Sequence, residues 1–161
     1  MIVRLDYDEM SSWLDRLEGS PVRLLDVRVT DNTHLALRLQ VRPEALDQLP
    51  HVPMVDLTKQ QFIVVLSLQA IQGELEVRIC DLDIVSSGFG GGLMKTVFGG
   101  LKQMLIAQFV TSIKQRFPAA HSEKEDCVII PALNRYGFCL KWQDAMVENR
   151  TLRLDLLAQK P

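Results

Sequence analysis

The sequence is poor in the residues that mark several large classes of proteins. Aromatic residues make up 6% of its 161 residues, so stacking platforms for nucleic-acid bases are not expected. The three cysteines, Cys80, Cys127 and Cys139, are an odd number without a close pair, which argues against a disulfide framework or a zinc site. The formal net charge is only −2, so the chain as a whole carries no excess of positive charge that would attract nucleic acid. We therefore expect no nucleic-acid partner, no metal and no other cofactor.

Long apolar runs and export features are also missing. No stretch approaches the roughly 18 uncharged apolar residues of a membrane-spanning helix. The first six residues show neither the basic region nor the apolar run of a signal peptide. We therefore expect no transmembrane segment and a cytoplasmic location. Hydrophobic residues make up 47% of the chain, which is enough to bury a core in a single domain over residues 1–161.

Alternation of apolar and polar residues predicts antiparallel hairpins along most of the chain. A first hairpin joins residues 22–29 and 35–41 through an Asp-Asn turn. A second joins residues 62–70 and 75–84, and its phase flips near Cys80 and Asp81, which predicts a β-bulge there. A strand over residues 127–130 and a closing hairpin over residues 138–158 follow.

Two helices are predicted among these strands. Asp8 is expected to cap a short N-terminal helix with Met10, Trp13, Leu14 and Leu17 on one face. The second is predicted over residues 93–117, because Pro118 cannot continue it. Together these elements predict an α+β fold, in which a curved, mostly antiparallel sheet of hairpins packs on one long helix.

The long helix has an unusual charge and an unusual apolar pattern. Residues 85–122 hold four basic residues and no acidic one. On a helical wheel, the apolar residues of the first half lie on a different face from those of the second half. A helix lying on a membrane surface needs one continuous stripe. The pattern therefore favours a helix enclosed by protein, or one kinked at Gly99-Gly100, with peripheral membrane contact as the alternative.

Other motifs carry weaker chemical signals. The glycine-rich segment 86–92 places Met94 and Leu93 where the phosphate-binding and dinucleotide-binding patterns need glycine, which favours a corner or a lid. Asp81 and Asp83 share one strand face, and the pattern favours a solvated face of the strand over a catalytic pair. Cys80 is a conceivable nucleophile at the bulge, although a free cysteine is usually inert.

The order of elements resembles that of bacterial tubular lipid-binding domains. The resemblance rests on the hairpins, the glycine corner, the long apolar helix, Ile130-Pro131-Ala132-Leu133 and the closing hairpin, and it covers residues 22–158 in pattern. It implies a strongly bent sheet around a long helix with an apolar groove between them. No functional residue is carried over from that family.

Three functions follow as hypotheses. The first is a non-enzymatic module that binds an apolar or lipid-like ligand between the long helix and the sheet. The residues expected to line that site are Leu93, Val97, Phe98, Leu101, Leu105 and Phe109, with Lys95 and Lys102 meeting an anionic head group. The second is an interaction or assembly domain that forms a homo-oligomer. The third is an enzyme that uses the Asp81 and Asp83 face with a divalent ion.

Overall fold

A computed structural model describes residues 1–16, 22–48, 56–85, 91–148 and 151–160. Its elements, in chain order, are β1 (Ile2–Leu5), α1 (Tyr7–Arg16), β2 (Val22–Val29), β3 (His34–Val41), β4 (Gln61–Ile71), β5 (Glu74–Val85), α2 (Gly91–Arg116), β6 (His121–Lys124), β7 (Cys127–Ile130), β8 (Leu133–Arg135), β9 (Phe138–Glu148) and β10 (Thr151–Gln159). Two short 3-10 helices, Pro43–Gln48 and Leu57–Lys59, lie between β3 and β4.

The strands form two antiparallel sheets. The larger sheet has six strands in the order β2-β3-β4-β5-β7-β6, and the smaller sheet has four in the order β1-β10-β9-β8. β9 runs past the turn end of the larger sheet, because Trp142 N donates to Gly73 O at 3.0 Å and Val147 N donates to Asn32 O at 2.8 Å. Gly73 and Asn32 belong to the β4–β5 and β2–β3 turns, so both turns join the two sheets.

The core lies between the inner faces of the two sheets. Alternate residues of β3, β4 and β5 are buried on one face, as the period of two requires. They join one cluster with residues of β9 and β10. From α2 this cluster includes Ile106 and Val110, with Leu105, Phe109, Ile113 and Phe117 packed partly against it.

The predicted fold class is wrong. The sequence predicted one curved sheet packed on one long helix, whereas most of the described residues lie in strands of two separate sheets. α2 is present, but it does not form the centre around which a sheet wraps; only Ile106 and Val110 are buried among its described side chains. Local alternation predicts strands correctly, but it carries no information on which strands share a sheet.

Several local predictions are confirmed and others are corrected. Both early hairpins are present, and the bulge lies at Cys80, since Leu66 pairs with Ile79 while Val65 pairs with Asp81. The N-terminal helix is present, but its cap is Asp6, not Asp8. Asp6 Oδ1 accepts from Glu9 N at 2.9 Å, and Glu9 Oε2 accepts from Asp6 N at 2.9 Å. This reciprocal pair is a capping box, which satisfies two backbone donors at once.

Candidate functional site

A cleft lies where β5 loses its neighbour β7. β7 pairs with β5 only from Leu75 to Arg78. At Ile79 the partner becomes the β6–β7 turn, since Ile79 N donates to Asp126 O at 2.8 Å. The bulge at Cys80 follows directly and bends the strand. α2 contacts β5 and β7, and a space is left between the helix, the bulged strand and the turn.

The cleft has a volume of about 380 Å³ and a mixed lining. Its lining residues are Ile79, Cys80, Asp81, Leu82, Lys102, Gln103, Ile106, Glu125 and Asp126. Three of them, Ile79, Leu82 and Ile106, are buried members of the core and provide an apolar floor. Because the bulge shifts the alternation by one residue, Ile79 and Leu82 both point inward and the segment between them faces the cleft rim.

Carboxylates outnumber cations at the cleft rim. Lys102 Nζ lies 3.4 Å from Asp81 Oδ1, in a pair whose two side chains are both partly exposed. Asp81 Oδ1 also accepts from Leu82 N at 2.9 Å, which holds the carboxylate in place. Glu125 and Asp126 line the opposite side, on the turn between β6 and β7. The lining thus includes three acidic residues and one lysine, and that lysine is already paired.

Cys80 does not have the surroundings of a nucleophile. Burial raises the pKa of its thiol above the ordinary value, and the nearby Arg78 opposes this shift only in part. Only the thiolate is reactive, and a raised pKa keeps the group protonated at neutral pH. The thiol at the bulge is therefore a weak candidate for covalent chemistry.

The predicted ligand-lining residues divide into two groups. Lys102 lines the cleft, whereas Leu105 and Phe109 pack partly against the core. The side chains of Leu93, Lys95, Val97, Phe98 and Leu101 lie outside the described part of the structure, as does most of the glycine-rich segment. That these five side chains line a ligand site therefore remains a prediction.

Sequence reasoning missed half of the cleft. Neither Glu125 nor Asp126 was a predicted site residue, although residues 121–124 form the short strand β6 and the two acids form its turn. Ile106, which forms part of the apolar floor, was not a predicted site residue either. The signal that could have found the cleft was the bulge, because a bulge often re-aims side chains beside a functional site.

The other chemical candidates are not supported by geometry. Asp83 Oδ1 accepts from Ile84 N at 2.8 Å, and Asp83 is not among the residues that line the cleft. Trp142 is buried, and its Nε1 donates to Pro131 O at 3.1 Å, so it belongs to the core. Over the described residues, no group of three His, Cys, Asp or Glu side chains could hold a metal ion.

Comparisons with known proteins add no assignment. No protein-family model, curated protein or solved structure matches this chain. In the described part of the chain, no helix is both long enough and apolar enough to cross a membrane.

Proposed function

We propose that this protein is a non-enzymatic binding module for a small amphipathic ligand with a cationic group. The ligand is held in the cleft between α2 and the bulged part of β5. The observation that carries this proposal is the combination of an apolar floor with an excess of carboxylates at the rim of one cavity.

The floor and the volume favour a small apolar body. Burying apolar surface contributes about 25 cal/mol per Å², so contact with Ile79, Leu82 and Ile106 provides a non-directional attraction. A cavity of about 380 Å³ is at the small end of the range of ligand pockets, which is about 300–1,000 Å³. A single short alkyl chain or ring is therefore a better fit than a lipid with two acyl chains.

The rim favours a cation. Lys102 is paired with Asp81, so it is not an open partner for an anionic head group. Among the described residues neither Glu125 nor Asp126 forms an ion pair, so the acidic residues of the lining outnumber its one lysine. The expectation from the sequence that Lys95 and Lys102 meet an anionic head group stays a prediction, and the proposed ligand carries the opposite charge. A resemblance to tubular lipid-binding domains remains a prediction, and the proposed ligand does not depend on it.

The test compares three probes that share one chain length. Octylamine, octanol and octanoate are titrated into the protein, and binding is followed by calorimetry and by the shift in melting temperature. An exposed ion pair is worth at most about 1 kcal/mol, so we expect octylamine to bind about fivefold more tightly than octanol for each carboxylate it meets. Octanoate is expected to bind most weakly. Equal affinity for all three probes, or no binding of octylamine, would reject the proposal.

A variant pair locates the binding within the molecule. Glu125→Gln combined with Asp126→Asn should remove the preference for octylamine over octanol while leaving octanol binding unchanged. The fold should persist, because the structural contact of Asp126 is made by its backbone carbonyl. Glu123→Gln is the matched control, since Glu123 is exposed on β6 and does not line the cleft. An octylamine preference that survives in the double variant would place the ligand elsewhere.

Native mass spectrometry of protein purified without detergent separates this function from the assembly alternative. A monomer carrying the mass of a small amine or amphiphile would support the cleft. A bare oligomer of defined mass would favour an assembly domain instead.

A further inference from the structure

The β8–β9 hairpin ends in a tight turn with an unusual residue. Arg135 pairs with Phe138, so Tyr136 and Gly137 are the two turn residues. Both have positive φ, at 52° and 77°, as in the turn type that suits the twist of a hairpin. Glycine, asparagine and aspartate are the usual residues there, because other side chains are strained at positive φ. Tyr136 therefore occupies a position that the turn itself disfavours.

Packing does not explain the tyrosine. Tyr136 is 96% exposed, so its ring gains almost no burial within the protein. Phe138, the next residue but one, is 46% exposed. Strained residues persist where surroundings or function require them, and here the surroundings offer no contact. Two aromatic rings are thus presented to solvent at the end of this hairpin.

The surface around this turn is basic. Arg135 and Lys160 are exposed, and neither forms an ion pair within the described residues. Lys160 follows Gln159, the partner of Cys139, which places it near the hairpin end. The sequence from residue 127 to residue 143 contains no acidic residue. This local positive charge stands against a chain with a net charge of −2.

We propose that the β8–β9 hairpin end docks on the surface of an anionic lipid bilayer. Tyrosine is enriched at membrane interfaces because its ring is apolar and its hydroxyl is polar. Arg135 and Lys160 complement acidic headgroups, each of which attracts a basic side chain near the surface. This interaction surface is separate from the cleft, so its test does not depend on the ligand.

Vesicle sedimentation tests the proposal. The protein is mixed with vesicles of phosphatidylcholine alone and with vesicles containing about one third phosphatidylserine, at low and at high salt. Binding is expected only to the anionic vesicles and is expected to weaken as salt rises. Equal binding to both vesicles, or no binding to either, would overturn the proposal.

The decisive variant is Tyr136→Asn. Asparagine tolerates positive φ, so this variant should fold at least as stably as the parent while losing the ring. We expect its affinity for anionic vesicles to fall by about tenfold, which is the effect of losing a buried ring-sized apolar group at an interface. Tyr136→Trp should retain the affinity of the parent. Unchanged binding by the Asn variant would overturn the role of the hairpin end.

Charge variants test the second half of the proposal. Lys160→Gln should weaken binding to anionic vesicles by about fivefold, in line with one basic residue near the surface. Lys124→Gln, on the exposed strand β6 of the other sheet, is the matched control and should bind like the parent. Sedimentation equilibrium addresses the competing occupant. A dimer that dissociates with Tyr136→Asn would show that a second copy covers this surface and would overturn bilayer docking.

Discussion

The β4–β5 turn and the β8–β9 turn share one backbone geometry in opposite surroundings. Gln72 and Gly73 have φ of 53° and 87°, and Tyr136 and Gly137 have φ of 52° and 77°. The first turn is covered by β9, since Gly73 O accepts from Trp142 N at 3.0 Å. The second turn projects from the smaller sheet with its tyrosine almost fully exposed. One local geometry thus serves as a joint between sheets in one place and as an exposed surface in the other.

The largest expected effect tests the joint. Trp142→Ala removes a buried side chain beside the β4–β5 turn and should lower the free energy of unfolding by about 3–5 kcal/mol. The backbone hydrogen bond to Gly73 is retained, so the loss reports on the side chain. Phe138→Ala, near the exposed turn, is the control and should cost less than about 1 kcal/mol. If urea denaturation shows that the two variants lose equal free energy of unfolding, the difference between the two turns is contradicted.

An intermediate effect compares the two glycines directly. A Cβ at Gly73 would lie 3.3 Å from Lys141 Cδ, whereas a Cβ at Gly137 would have nothing within 4 Å. Alanine at either position is strained by about 1–2 kcal/mol because φ is positive. Gly73→Ala should therefore destabilise the protein more than Gly137→Ala, by an extra few tenths to about 1 kcal/mol from crowding. Chemical denaturation of both variants checks the order, and the reverse order would contradict the covered environment of Gly73.

The smallest expected effect concerns the β2–β3 turn, which is the second turn that joins the two sheets. Here Asp31 Oδ1 accepts from Thr33 N and from His34 N, both at 2.8 Å. The hydrogen bond from Thr33 N, followed by that from the His34 side chain, lowers the pKa of Asp31 from 3.8 to about 2.

The lowered pKa of Asp31 predicts that the free energy of unfolding depends on pH over a narrow acidic range. Its contribution to stability is complete above its unfolded pKa of 3.8, and it is lost as the pH falls from 3.8 through about 2. Asp31→Asn should remove this part of the acid sensitivity and leave the rest of the pH profile unchanged. Urea midpoints measured across this window check the prediction. Asp47→Asn serves as the control because Asp47 is exposed. If Asp31→Asn has the same pH profile of stability as the parent, the prediction is contradicted.

The local elements were largely predictable from sequence. Alternation over β3 predicts its buried face, which begins with Leu35, and the phase flip after Ile79 predicts the bulge at Cys80. These signals arise within about ten residues, so one chain segment contains them. The strands β1 and β8 are only four and three residues long, and so short a pattern does not repeat enough to be detected.

The division into two sheets was not predictable in the same way. Leu5 pairs with Leu152, and no local pattern records a partner so far away in sequence. The cleft also depends on pairing between distant segments. The pairing of β7 with β5 is what places Asp126 beside Ile79. Lys102 could be named in advance as a candidate residue, but its partner Asp81 depends on how the helix lies against the strand.

The pairing of β1 with β10 has a consequence for the order in which the chain folds during synthesis. β10 is the only strand with which β1 pairs among the described residues, and it follows every strand of the larger sheet in the chain. The larger sheet comes entirely from residues 22–130, so its strands can all pair earlier. The smaller sheet therefore closes late, around contacts of high sequence separation, which are slow to form.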